Sequence, residues 1–201
     1  MARISLSKSS LAKQNRDLQT YERYLPSLDL KRKQLIAERA KEVIAEQQTR
    51  QTINALRERV RDTLPMLANR EIALDDLVQV QGVRLGEENL LGTRLPVLSG
   101  LDLIKADYGL LSKPHWVDAL VDALSEMVRL QAQMALHERR LILLDEAVRK
   151  VTQRVNLFDK VLIPRARRNI KRIRIHLSDT ERAAIVRSKI AKGKRAKEGL
   201  A

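Results

Sequence analysis

The chain has no cysteine and almost no aromatic side chains, and each shortage removes options. Without cysteine, disulfides and thiolate metal sites cannot form, which fits a reducing compartment. Only 2% of the 201 residues are Phe, Trp or Tyr, whereas compact cores of this size draw much of their buried area from aromatics. A globular core is therefore expected to be small. No apolar run approaches the roughly 20 residues that a bilayer crossing needs. The N-terminal MARISLSKSSLAKQNR also lacks an apolar stretch of signal-peptide length. The expectation is a soluble protein, or one that meets a membrane only through partners.

Chemical motifs are missing as well. No GxxxxGK-Ser/Thr phosphate loop occurs, and no GxGxxG follows a strand. His115, His137 and His176 are scattered, with no second histidine at ligand spacing, so no metal site is expected. His137 stands beside Glu138, but adjacent helical residues do not face each other, and it reads as a solvated histidine. The carboxylate pairs Asp75-Asp76 and Glu87-Glu88 read as solvated surface. No catalytic constellation and no cofactor motif is found.

What is abundant is Leu, Ile, Val and Ala among charges: 44% of residues are hydrophobic and 32% charged, in long periodic runs. Such composition points to long helices packed in pairs. The net charge of +14 is unevenly spread. Residues 1–65 carry +6, residues 66–159 carry −3, and residues 160–201, with 14 basic and 3 acidic side chains, carry +11. So basic an end suggests an anionic partner.

A first helix is expected to start within Ser7–Leu11, where Ser7, Ser9 and Ser10 are acceptable caps. Leu11, Leu18 and Leu25 recur every seven residues, as do Tyr21, Leu28 and Leu35, giving two rows of a heptad seam. Ile53, Leu56, Val60, Leu64 and Leu67 continue it beyond the polar stretch Glu46–Thr52. Pro26 predicts a kink or short break near Tyr24–Ser27, since it removes a helical hydrogen bond at a cost of about 3 kcal/mol. Pro65 ends or bends the helix. If helical throughout, Lys8–Leu64 measures roughly 85 Å at about 1.5 Å per residue.

Residues 66–113 are glycine-rich and slightly acidic. Val78, Val80 and Val83 alternate with polar neighbours and read as a strand; GEEN (86–89) reads as a turn, and a second strand is expected around Thr93–Leu98. A second long helix then starts with Ser112 as cap, Pro114 in the first turn and Asp118 at the positive end of its dipole. Trp116, Leu120, Leu124 and Met127 supply its first apolar face. Leu141, Leu144, Val148, Val151, Val155, Phe158 and Leu162 recur in steps of 3 and 4, the strongest periodicity in the chain. Beyond Pro164 the face continues through Ala166, Ile170, Ile173 and Leu177, which favours a kinked but unbroken helix.

The fold expected is mainly α: a long antiparallel two-helix coiled coil of the N- and C-terminal helices, with a small middle lobe containing a β-hairpin and short helical elements. The boundaries are an N-terminal coiled-coil helix (1–65), the distal lobe (66–113), a C-terminal coiled-coil helix (114–190) and a basic flexible tail (191–201). Pairing is nearly forced, because a helix this long cannot bury its stripe alone. Arg165, Arg167, Arg168, Lys171, Arg172 and Arg174 go around the helix after Pro164, so densely that anionic surroundings are expected.

Those C-terminal residues carry a resemblance. VNLFDKVLIPRARRNIKRI is similar to the C-terminal signature of the D subunit of V-type and archaeal-type rotary ATPases, in which VNALE is followed by IPR and a TIKYI-like run. Val155, Asn156, Leu157, Ile163, Pro164, Arg165 and Asn169–Ile173 hold those places. LSDTERAAIVRSKIAK resembles the family's LDEXEREEXFRLKXXK through Leu177, Asp179, Glu181, Arg182, Arg187, Lys189 and Lys192. Upstream, ISLSKSSL, KRKQLIAE and ENLLGTRLPVL resemble VXPTKXXL, KRDXLXXE and NIXGVXVPXL. Leu6 in place of proline, Lys33 in place of aspartate, and Pro26 depart from the pattern and mark a divergent member.

The resemblance implies a non-catalytic rotor shaft with no cofactor, coupling ATP hydrolysis or synthesis to proton or sodium transport, on the cytoplasmic face of a membrane. Its implied partners are a ring of catalytic and non-catalytic nucleotide-binding subunits, the small F subunit and the membrane-rotor adaptor (C/d type). Ring contacts are expected from Pro164, Arg165, Arg167, Arg168, Lys171, Arg172, Arg174, Arg182 and Lys189. Contacts to the F subunit or the adaptor are expected from Val78, Val80, Asn89, Gly92, Leu95 and Pro96. The rival reading is a basic coiled-coil protein that binds nucleic acid; against it, the basic region has no aromatic stacking residues. A membrane-surface scaffold is disfavoured by the lack of interfacial Trp or Phe in the same region.

Overall fold

Ser7 caps the first helix: its hydroxyl accepts the Ser10 N–H at 3.2 Å, and Leu11 N–H bonds the Ser7 carbonyl at 3.0 Å. The computed structural model describes residues 5–68, 74, 76–106 and 113–198. Along these run α1 (Lys8–Thr63), a 3₁₀ turn (Pro65–Ala68), β1 (Val78–Leu90), β2 (Thr93–Lys105), α2 (Trp116–Asn156), a π segment (Leu157–Leu162) and α3 (Ile163–Glu198). The fold is mainly α with one antiparallel hairpin, as expected.

Of the kink or short break expected near Tyr24–Ser27, the break does not occur. The helix runs for 56 residues with Pro26 inside it. Pro26 is exposed, so its ring does not intrude on the seam, where Leu25 and Leu28 are half-buried. The Ser27 hydroxyl donates to the Tyr24 carbonyl at 2.8 Å. Packing along so long a helix offsets one lost hydrogen bond. At the far end Pro65 coincides with the helix stop, as predicted.

The chain forms two compact units, Met1–Lys31 with Lys150–Ala201, and Arg32–Arg149. In the first, α1 and α3 pair antiparallel. Asn169 Nδ2 donates to Gln14 Oε1 at 3.0 Å, Arg167 meets Glu22 at 2.7 Å, and Lys8 lies 3.6 Å from Glu181. Val151, Val155, Ile163, Ala166, Ile170 and Ile173 are its buried stripe. Tyr21 and Phe158 add an edge-to-face ring pair with centroids 5.4 Å apart.

The π segment explains how that stripe passes Pro164. From Phe158 the apolar positions step 158, 162, 166, 170, three fours in succession where strict alternation would use one residue fewer. A π turn, with its i to i−5 bond, absorbs such an extra residue; the Ile163 N–H bonds the Phe158 carbonyl accordingly. Ile163 thereby joins the core, while Leu162, placed there by the sequence pattern, is only half-buried. The helical path remains unbroken, and it continues to Glu198.

The second unit holds the lobe. Leu64, Leu77, Trp116, Val117, Leu120 and Val121 form its core, with Val60, Leu67, Leu74, Val78 and Leu124 packed against it. Leu35, Leu144 and Ala147 are buried further along the helices. The pairing here is antiparallel as well: Arg39 meets Asp145, and Glu42 meets His137. The α2 start lies at Trp116, with Asp118 in its first turn and Val117 N–H bonding the Pro114 carbonyl at 3.0 Å. The expected cap Ser112 lies outside the described residues, as does Asp75.

Each hairpin strand has 13 residues, far longer than predicted, and GEEN is part of β1 rather than a turn: Glu87 pairs with Pro96 and Glu88 with Leu95. The turn is Leu91-Gly92, with φ of 52° and 80°. Two successive positive φ values match the twist of a two-residue hairpin. Asn89 Oδ1 receives the Gly92 N–H at 2.9 Å and closes it.

Candidate partner-binding surfaces

The basic stretch of α3 is a surface with a buried back. Arg165, Arg167, Arg168, Lys171, Arg172 and Arg174 line its outer side, while Ile163, Ala166, Ile170 and Ile173 fill the seam. Pro164 is half-buried. The arginines and lysine are less evenly spread than the sequence suggested. Arg167, Lys171 and Arg174 recur at i, i+4 and i+7 and line one groove with Asn15 and Leu18. Arg167 already bonds Glu22. This groove therefore presents several cations beside apolar atoms, suited to a carboxylate-bearing partner.

Beyond Glu181 the helix changes character. Every described side chain from Glu181 to Arg195 is exposed, including Ile185, Val186 and Ile190. Arg182 and Lys189 belong to this stretch. A helical segment that buries none of its apolar side chains contributes little to the isolated chain and leaves them free for a partner.

The hairpin offers a different surface. Val80, Val83, Leu85 and Ile104 are each about half exposed or more. Register shifts between Val80 and Gly82, and between Arg84 and Leu85, put several of these side chains outward. Of the residues expected to meet partners here, Val80, Asn89 and Gly92 are exposed, Val78 and Pro96 are half-buried, and Leu95 is fully buried. Leu95 is thus a packing residue in this chain. Asn89 and Gly92 serve the turn.

One polar cluster has no counterpart among the sequence expectations. Glu42 is only 9% exposed, and its carboxylate takes His137 Nδ1 at 2.6 Å and Arg140 Nε at 3.0 Å. His137 is therefore not solvated; its side chain is 20% exposed and faces α1. The signal lay in the spacing. Leu28, Leu35 and Glu42 follow one another at seven, which places the glutamate in the seam. His137, Arg140 and Leu144 stand at i, i+3 and i+7 on one face of α2. A carboxylate at such a position needs a partner across the helix pair.

With these surfaces in view, similarity to known proteins covers almost the whole chain. The family profile of the ATP synthase D subunit matches residues 10–193. A Borreliella burgdorferi protein, named as the D subunit of a V-type ATP synthase, is 32% identical over 195 residues, spanning 96% of this chain and 95% of the relative. A Chlamydia muridarum protein of the same name is 32% identical over 200 residues, spanning 96% of each.

Proposed function

The chain belongs to the D-subunit family of ATP synthases, and on that footing we propose that it is the central-stalk rotor of a V-type ATPase or ATP synthase. The observation that carries this reading is the family match from residue 10 to 193, which takes in both long helical stretches and the hairpin. The chain performs no bond chemistry itself. It transmits torque between a nucleotide-hydrolysing ring and a membrane ring that moves protons or sodium ions.

The cations Arg165, Arg167, Arg168, Lys171, Arg172 and Arg174, followed by Arg182 and Lys189, are the surface for the ring of catalytic and non-catalytic subunits. Single exposed ion pairs contribute about 0–1 kcal/mol. Many weak contacts of this kind suit a turning part, because one deep minimum would hold it at a single angle. The outward apolar side chains of the hairpin, with Val78, Val80, Asn89, Gly92 and Pro96, suit the F subunit and the membrane-rotor adaptor. Among the described residues no helix is long and apolar enough to cross a membrane. Attachment runs through those partners, on the cytoplasmic face. No observation favours the nucleic-acid reading.

Copurification tests the proposal. The tagged chain is expected to bring down a nucleotide-hydrolysing hexamer and a small protein of the F-subunit kind, both staying bound in moderate salt. Recovery of nucleic acid alone, shed as salt rises, would overturn it.

A further inference from the structure

Arg140 joins three elements at once. From α2 its guanidinium donates to Glu42 Oε2 on α1 at 3.0 Å and to the Pro96 carbonyl on β2 at 3.1 Å, and it lies 3.6 Å from Glu88 Oε2 on β1. The Arg140 side chain is 18% exposed. Glu42 is held in turn by His137. Hydrogen bonds to charged groups, once withdrawn from water, are stronger than neutral ones.

The place of this node along the hairpin gives it leverage. A two-stranded hairpin is marginal alone and takes its orientation from what it packs on. Its base is fixed by Val78 against the lobe core and by the exposed Lys105–Asp122 pair at 2.7 Å. Glu88 and Pro96 lie near the turn, nine residues or more along β1 from Val78 in the register. At about 3.3 Å per residue that is roughly 30 Å from the base. Leu95, fully buried next to Pro96, marks the same region as the second place where the hairpin is pinned.

We propose that Arg140 is a positioning residue that fixes the turn-proximal half of the hairpin against α1 and α2, making it the stiff joint through which torque passes between the hairpin and the helices. The torque clause rests on the rotor reading; the anchoring does not. Two hydrogen-bond acceptors on two elements, with the Glu88 carboxylate of a third close by, call for the planar fork of arginine. Lysine, a point charge, satisfies fewer of them.

Arg140→Met, which keeps the aliphatic stem, and Glu42→Gln, which keeps the shape of the side chain, test the joint in the full chain, with circular dichroism to verify folding. Amide exchange of residues 86–97 is expected to quicken about tenfold or more in Arg140→Met. It should quicken less in Arg140→Lys and Glu42→Gln, while residues 78–80 and α2 stay as in wild type. In the assembled complex, a probe on the hairpin turn should show a wider angular spread about its mean at fixed nucleotide, with the ATP hydrolysis rate unchanged. Exchange and angular spread both equal to wild type would overturn the proposal. A wild-type probe that never rotates against the ring would instead overturn the rotor reading, and the exchange result would still decide the anchor.

Discussion

Leu91 holds a φ of 52°, a left-handed conformation that costs an ordinary L residue about 1–2 kcal/mol. Nothing about its side chain offsets this, since it is 37% exposed at the hairpin tip. Asparagine tolerates that region far better, and Asn-Gly is the favoured pair for a turn with two positive φ values. Leu91→Asn is therefore expected to stabilise the hairpin by about 0.5–1 kcal/mol, seen as slower exchange of amides in β1 and β2; faster exchange would contradict the turn geometry. The same residue shows why the hairpin is only half legible in the sequence. Leu-Gly carries a weak turn signal, whereas GEEN, starting five residues earlier, carries a strong one, which sets the expected turn too early and β1 too short. Glu42 shows the converse: its heptad spacing from Leu28 and Leu35 is plain in the sequence, but residue type outweighs position and hides its pairing with His137.

Among the elements, the long helices are legible because their apolar steps of three and four repeat over many turns, and tertiary packing agrees with propensity there. Pro26 does not interrupt the helix because its penalty is local and small against the packing of 56 residues. Pro164 leaves the helix unbroken as its flanking pattern suggests, yet that pattern does not announce the π segment before it. Its cause is a count. Val155 and Ile163, successive buried residues on either side, are eight apart, one more than a heptad. Deleting the exposed Asp159 brings that spacing to seven. The deletion is expected to convert Leu157–Leu162 to ordinary α-helix, replacing the Ile163 to Phe158 bond by an i to i−4 bond, with mean helicity per residue kept. Nuclear Overhauser contacts or a crystal structure of the variant would read this directly. A π turn that survives the deletion would mean that Pro164, which cannot donate to Lys160, sets it alone.

For the whole molecule, the basic end that dominates the charge count proves to be the part that does least for the isolated chain. Removing Arg182–Ala201 takes away seven basic residues and one acidic one, lowering the formal net charge from +14 to +8. The described side chains it removes, Arg182 to Arg195, are all exposed, so almost no buried apolar area goes with them. Relief of like-charge repulsion acts in the opposite direction. The truncated chain is thus expected to melt within about 2 °C of the full chain, since surface changes stay near 0.5 kcal/mol, and to lose helical signal only in proportion to its length. In the complex the same truncation should weaken retention of the nucleotide-binding ring and lower ion transport per ATP, because Arg182, Lys189, Ile185, Val186 and Ile190 are then missing from the proposed bearing surface. A drop in melting temperature well beyond that range would show that the segment stabilises the free chain. Full ring retention with undiminished coupling would remove residues 182–201 from the working surface and leave that role to Arg165–Arg174.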